Sequence, residues 1–284
     1  IESVVTQDPV ILEKIVNVDH SVLNCAPTRH GVRVSKLIPE FNKLFIGLGP
    51  QVLVYDTDHF SPTWLTDGIC IKLQQKSDDA PVGATSSGSD NKPMIRQVKD
   101  ETAEKALQCL DFVYLGAREM LLVLRSDMLM EFHRFMARTK VTPDLIQQNG
   151  FWQFEHPYNK IALREMTYGR GSTTAAKVSW KLFAIGESRS IIDLWDVVVS
   201  STGVVSLEEH SEIDIHKDYV RDILVINNEL LHYNFFVSCA MDAKVQLFDL
   251  ATLKHRATRT GFGGGVQCLA YDNRSLLFAG GFDY

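Results

Sequence analysis

The sequence has no long apolar run. None of its hydrophobic stretches approaches the ~20 residues that cross a bilayer as a helix, so no helical membrane span is expected. The start, Ile1-Glu2-Ser3, lacks the basic segment and apolar stretch of a secretory leader. Cysteine is sparse: Cys25, Cys70, Cys109, Cys239 and Cys268 form no C-x-x-C pair, which excludes zinc-site spacing and a disulfide framework. These thiols are expected to be buried and reduced, as in a cytoplasmic protein. Positive charge is also scarce. Lys plus Arg number 29 against 35 Asp plus Glu, a formal net charge of −6. A nucleic-acid binder concentrates basic residues to neutralise phosphates, so no nucleic-acid partner is expected.

Motifs that carry chemistry are missing as well. Gly261-Phe262-Gly263-Gly264-Gly265 has Val266 where a dinucleotide fingerprint has its last glycine, and reads as a flexible loop before a strand. Gly171 to Lys177 lacks the second glycine and the Ser/Thr of a P-loop. Asp56-Thr57-Asp58 opens like a calcium loop, but Ser61 and Asp67 stand where glycine and glutamate belong. Glu208-Glu209-His210 is too tightly spaced for a helical ligand pair, and the nine histidines contain no H-E-x-x-H. No G-x-S-x-G elbow or recognised cysteine nucleophile motif occurs. No catalytic residue, metal or cofactor is assigned. The sequon Asn273-Arg274-Ser275 reads as a chance turn.

What is present is ordinary globular composition, 45% hydrophobic and 23% charged over 284 residues, enough for two domains or one large all-β unit. The apolar stretches are strand length and rich in Val, Ile, Leu and Phe: Lys43 to Gly47, Gln51 to Tyr55, Phe235 to Ser238 and Lys244 to Phe248. Thr102 to Leu110 fits a helix start and a strand about equally. The interval from Gln74 to Glu104 has almost no large apolar residue and reads as a flexible insertion. Thr167 to Ala176 reads as a shorter loose stretch.

One unit recurs. An apolar strand ends in small residues, a tight turn follows, and a second strand ends in an aromatic plus Asp. The clearest copy runs from Phe236 through Asp242 to Phe248-Asp249. Others end at Trp195-Asp196 and Tyr55-Asp56, and a further copy begins at Leu276 and reaches Asp283. A degenerate unit lies at Leu107 to Phe135, with strands near Cys109 to Val113 and Met120 to Leu124 and no aromatic-Asp.

These residues resemble the WD-repeat β-propellers. Trp195-Asp196, Phe248-Asp249 and Tyr55-Asp56 stand where the family has Trp-Asp. His216 stands at the repeat-start histidine, with Ile215 in place of the preceding glycine, and Asp242 and Asp283 stand at the turn aspartate. The resemblance implies that the turn Asp accepts hydrogen bonds from backbone and from the preceding histidine, and that the aromatic fills the space between blades. Arg189 replaces the turn Asp of the Trp195 repeat, and Phe262 replaces the histidine of the last one. The step from Trp195 to Phe248 is 53 residues, against about 40–45 in the usual unit.

The expected architecture is therefore an all-β WD-repeat-type propeller, incomplete in this chain: a lead-in segment over 1–30, then about five blades over 31–284, the last truncated, with the insertion at 74–104. Without an initiator Met and ending in mid-pattern, the chain reads as a fragment of a longer polypeptide. The resemblance implies a non-catalytic interaction scaffold, narrowed by the long repeats to a cytoskeletal or ciliary assembly; a soluble regulatory adaptor is the alternative. Expected partners are other proteins. The densest basic cluster, Lys254, Arg256 and Arg259, is read as lying between two strands and as the contact patch for an acidic surface of the tubulin type.

Overall fold

The computed structural model describes residues 32–38, 42–56, 69–73, 107–115, 118–135, 146–168, 177–200, 204–228, 233–272 and 274–282. Every regular element among them is a strand. Each of four antiparallel sheets has its four strands side by side in chain order. Blade A holds β1 (Val32–Ile38), β2 (Lys43–Leu48), β3 (Gln51–Asp56) and β4 (Ile69–Lys72). Blade B holds β5 (Cys109–Leu115), β6 (Met120–Arg125), β7 (Leu129–Phe135) and β8 (Ile146–Gln153). Blade C holds β9 (Lys160–Tyr168), β10 (Lys177–Ile185), β11 (Ile191–Val199) and β12 (Val205–Asp214). Blade D holds β13 (Val220–Asn228), β14 (Tyr233–Ala240), β15 (Val245–Asp249) and β16 (His255–Arg259). A fifth sheet, E, pairs β17 (Val266–Tyr271) with β18 (Leu277–Gly281).

The first strands of successive sheets adjoin: β1 meets β5, β5 meets β9, β9 meets β13 and β13 meets β17. The sheets thus fan out from their first strands, which is the arrangement of a β-propeller. Among the described residues, a slab of core lies between each neighbouring pair of sheets. Phe45, Val52 and Val54 of blade A meet Phe112, Leu121 and Val123 of blade B. Met120, Leu122 and Leu124 of blade B meet Trp180, Leu182 and Trp195 of blade C. Phe183, Ile185 and Leu194 of blade C meet Ile223, Phe236 and Phe248 of blade D. Val237, Cys239 and Val245 of blade D meet Val266 of sheet E.

Strand periodicity explains why some stretches are apolar throughout. Successive side chains point to opposite faces. In β6, Leu121 and Val123 face blade A while Met120, Leu122 and Leu124 face blade C, so all six residues Met120–Arg125 are buried. Burying a side chain of this size contributes roughly 1.5–3 kcal/mol, and a middle blade does so on both faces. The series is barer at its ends. Of the ten exposed large apolar residues described, six lie in β1 or between Leu276 and Phe282: Val32, Leu37, Leu276, Leu277, Phe278 and Phe282.

Two buried aspartates clasp the first strands together. Asp111 in β5 accepts the Ile161 amide of β9 at 2.9 Å, and Lys36 Nζ of β1 lies 2.6 Å from it. Asp222 in β13 accepts the Leu269 amide of β17 at 2.8 Å and pairs with Lys160 of β9. Both follow a break in strand register, between Cys109 and Asp111 and between Val220 and Asp222. Such a bulge re-aims the next side chain, here toward the neighbouring blade.

The structure departs from the sequence reading in four places. Thr167 and Tyr168, assigned to a loose stretch, belong to β9 and pair with Val178 and Lys177. Cys109 and Cys239 are buried, but Cys268 is exposed. Its neighbours on β17 alternate toward a face that no described sheet covers. The end of the glycine run before Val266 is packed: a Cβ on Gly265 would come within 2.7 Å of Met241 Sδ and one on Gly264 within 3.2 Å of Phe282, while one on Gly261 would meet nothing within 4 Å. The basic segment His255–Arg259, read as lying between strands, is itself strand β16, the last of blade D. The segment 1–30, the insertion 74–104, and the residues Asn273 and Asp283 lie outside the described residues.

Candidate interaction site

Blade D carries the polar centre that the repeat pattern points to. His216 enters just before β13, and its ring is buried. Its Nδ1 stands 3.2 Å from both Asp242 carboxylate oxygens, and its Nε2 stands 2.8 Å from Ser238 Oγ. The Lys217 amide donates to the same carboxylate at 3.1 Å. Burial lowers the His216 pKa, only partly opposed by Asp242. The imidazole is therefore neutral, its Nδ1–H donating to Asp242 and its Nε2 accepting the Ser238 hydroxyl proton. Asp242 sits in the tight turn before β15, where Ala243 takes a left-handed φ of 57°. Ser238 was not legible as a partner, because a lone serine within an apolar strand has no sequence signature.

The aromatics behave as spacers. Phe248 in β15 packs on Phe236 at 5.3 Å, and Phe236 stacks on Phe183 of blade C at 4.5 Å. The Asp that follows serves the surface. Asp249 accepts the Thr252 amide at 2.9 Å and Arg256 Nη2 at 2.7 Å. Its carboxyl is held at about 2, first by Arg256 and then by Thr252. Asp196 pairs likewise with Lys181, its cross-strand neighbour. Tyr55 is fully buried in β3, and Asp56 closes that strand opposite Lys43.

Blade C solves the same problem with other residues. Arg189 occupies the turn in place of Asp, and the acid moves to Asp193, four residues on and fully buried. Arg189 Nη2 lies 3.2 Å from Asp193 and 3.6 Å from Glu212. His210 Nε2 is 2.8 Å from Asp193, and its ring stacks on Trp195 at 4.9 Å. Asp193 and Trp195 stand two apart on β11 and so share a face, and the register break between Leu194 and Asp196 lets His210 cover both. Burial and the adjacent Asp193 push the Tyr158 phenol well above its ordinary pKa. Sequence spacing gave His210 no role. Strand pairing is what brings it to Asp193 and Glu212, with ligand-type atoms within 4.8 Å of one another. The cation seated against both carboxylates is the Arg189 guanidinium.

Blade B, the degenerate unit, has a third solution. Arg125 at the end of β6 pairs with Glu131 and donates to Asp127 at 3.0 Å, while His133 Nε2 lies 2.9 Å from Glu131. All three of Arg125, Glu131 and His133 are buried. The centres of blades B and D are paired within the fold, whereas in blade C Asp193 Oδ2 and Arg189 Nε are buried without a hydrogen bond among the described residues.

The predicted contact patch lies elsewhere, on an edge. All five residues of β16 are exposed, as is Lys254 before it. β15 pairs with it on one side, and the sheet ends at its other side. Arg256 is engaged with Asp249, whereas among the described residues no acid lies against Lys254 or Arg259. No helix among the described residues is long and apolar enough to cross a membrane.

No family model and no curated protein matches the sequence. Among solved structures the chain is similar to a chain of the mitotic checkpoint complex, at 12% identity and a TM-score of 0.49, over 91% of this chain and 66% of that one. It is also similar to Saccharomyces cerevisiae Sqt1, at 9% identity and a TM-score of 0.46, over 85% of this chain and 52% of that one. The chain thus spans less than two thirds of either. Its own sheets and cores establish the fold: an all-β chain of propeller blades, four of them complete at four strands.

Proposed function

We propose that the protein is a non-catalytic platform for protein–protein interaction, working in the cytoplasm as part of a larger assembly, and that the outer edge of blade D is a contact surface for an acidic partner. One observation carries this reading. In a chain of net charge −6, the solvent-facing strand β16 and the residue before it present Lys254, His255, Arg256 and Arg259 with no acidic residue among them. Exposed sheet edges invite pairing, and a patch of one sign selects a partner of the other. The polar centres of blades B and D are paired within the fold, and edges and loops on a fixed scaffold are where recognition concentrates.

The narrower readings, a cytoskeletal or ciliary scaffold and a soluble adaptor, predict different behaviour. Tubulin polymer is a suitable acidic probe. The protein is expected to co-sediment with it at low salt and to be released at high salt, and the double variant Lys254→Glu/Arg259→Glu is expected to stay in the supernatant. Equal co-sedimentation of wild type and variant would remove β16 as the contact. In cells, detergent extraction that leaves the full-length protein in the cytoskeletal pellet at low salt supports the scaffold. Complete extraction supports the adaptor.

A further inference from the structure

The chain carries its own acidic edge. β12 is the last strand of blade C, as β16 is of blade D, so each has one side without a strand partner among the described residues. Over Val205–Asp214, β12 contains Glu208, Glu209, Glu212 and Asp214 and no Lys or Arg. Glu208 and Asp214 are exposed, as is Glu212, which lies 3.6 Å from Arg189. Over Lys254 to Arg259 the other edge contains three Lys or Arg and no acid. The remaining outer strands lack this character: β4 is Ile-Cys-Ile-Lys, and β8 has no charged residue at all.

We infer that the acidic partner of β16 is the β12 edge of a second copy of this chain, the two strands pairing edge to edge across the interface. This deepens the reading of β16 as a contact for an acidic surface and rests on it. Like charges directly opposite each other disfavour β12 meeting β12 or β16 meeting β16, while β12 against β16 places opposite charges across a ladder. Within one chain the two edges terminate different sheets with a packed core between them, so the complementary edge comes from another molecule. The contact is heterologous: each copy offers one acidic and one basic edge, and both remain available at the ends of a pair. Association of this type continues head to tail into a ring or a filament. Five residues of β16 limit the ladder to roughly 17 Å, so the contact is weak at one junction and gains from repetition. Because it depends on exposed charge, it weakens with salt as the screening length falls below about 10 Å.

Sedimentation velocity tests this with charge swaps. Lys254→Glu/Arg259→Glu makes both edges acidic and leaves the Arg256–Asp249 pair intact; Glu208→Lys/Asp214→Lys sets two Lys against Glu209 and Glu212, so β12 loses its acidic character while β16 stays basic. Wild type is expected to self-associate with rising concentration at low salt and to dissociate at high salt. Each double variant alone is expected to associate at least about tenfold more weakly. An equimolar mixture of the two is expected to form heteromers, because an acidic edge again meets a basic one. Circular dichroism establishes that each variant is folded before it is scored. A wild type that stays monomeric at low salt, or variants that associate like wild type, would overturn the inference. If the wild type is monomeric yet binds tubulin polymer through Lys254 and Arg259, the platform reading stands and self-pairing falls. If self-association follows the charge swaps but tubulin polymer is ignored, self-pairing stands and a separate acidic partner falls.

Discussion

Blades C and D have the same strand order and adjoining cores, yet different residues hold them. In blade D a neutral histidine bridges a turn aspartate and a strand serine. In blade C the turn residue is Arg189, the acid sits inside the strand as Asp193, and the histidine arrives from the far side, on β12. The comparison teaches that the fold accommodates a buried polar centre at this place built from different sets of residues. Once Asp242 has no counterpart in the turn, a buried charge elsewhere needs its own partners, since an unpaired one costs several kcal/mol. Arg189, His210 and Tyr158 all converge on Asp193.

The two centres can be broken separately. The largest loss is expected from Asp193→Ala, about 3 kcal/mol in urea unfolding, because it strips the shared acceptor from Arg189 and His210. A loss no greater than that of an exposed substitution would show that Asp193 is not the keystone of blade C. Asp242→Ala is expected to cost about 1–3 kcal/mol, since it leaves the His216 Nδ1–H and the Lys217 amide without their acceptor. An unchanged midpoint would count against the blade D assignment.

Acid should separate the blades further. The His216 pKa lies below its unfolded value of about 6.5 in the fold, so the unfolded chain binds the extra proton first. Its contribution is complete above the unfolded pKa and declines as pH falls from there toward the lower folded value. A His216→Gln variant is expected to flatten that part of the pH–stability curve. An unaltered slope would mean that another group causes it. The smallest effect is a titration. Asp249 should read a pKa of about 2 by carboxyl NMR and rise toward the ordinary aspartate value of 3.8 in Arg256→Ala. No rise would assign the depression to Thr252 alone.

Much of this was legible in the sequence where a residue type is tied to a buried position. The strands at Met120–Arg125 and Val245–Asp249 announce themselves because both of their faces meet a core, and Gln51–Asp56 because Val52 to Tyr55 are all buried. The outer strands do not. His255–Arg259 is polar but for Ala257 and exposed throughout because it ends its sheet, so it carries no apolar alternation to read. Arg189 was visible as an anomaly, but its resolution through Asp193 and His210 depends on the pairing of β11 with β12 and on a register break, neither of which has a local signature. Ser238 was hidden for the same reason, and so was the clasp made by Asp111 and Asp222, whose partners lie about 50 residues further along the chain.

That clasp has a consequence for how the molecule opens. Ile161, whose amide answers Asp111, is the neighbour of Lys160, whose ammonium answers Asp222. Both clasps therefore meet at the first two residues of β9, one reaching back to blade A and the other forward to sheet E. A fluctuation that frees β9 loosens both halves at once. In hydrogen exchange, the Ile161 and Leu269 amides should share one opening free energy although 108 residues separate them (269 − 161). The fan of sheets would then behave as a single cooperative unit rather than as blades that fray one by one.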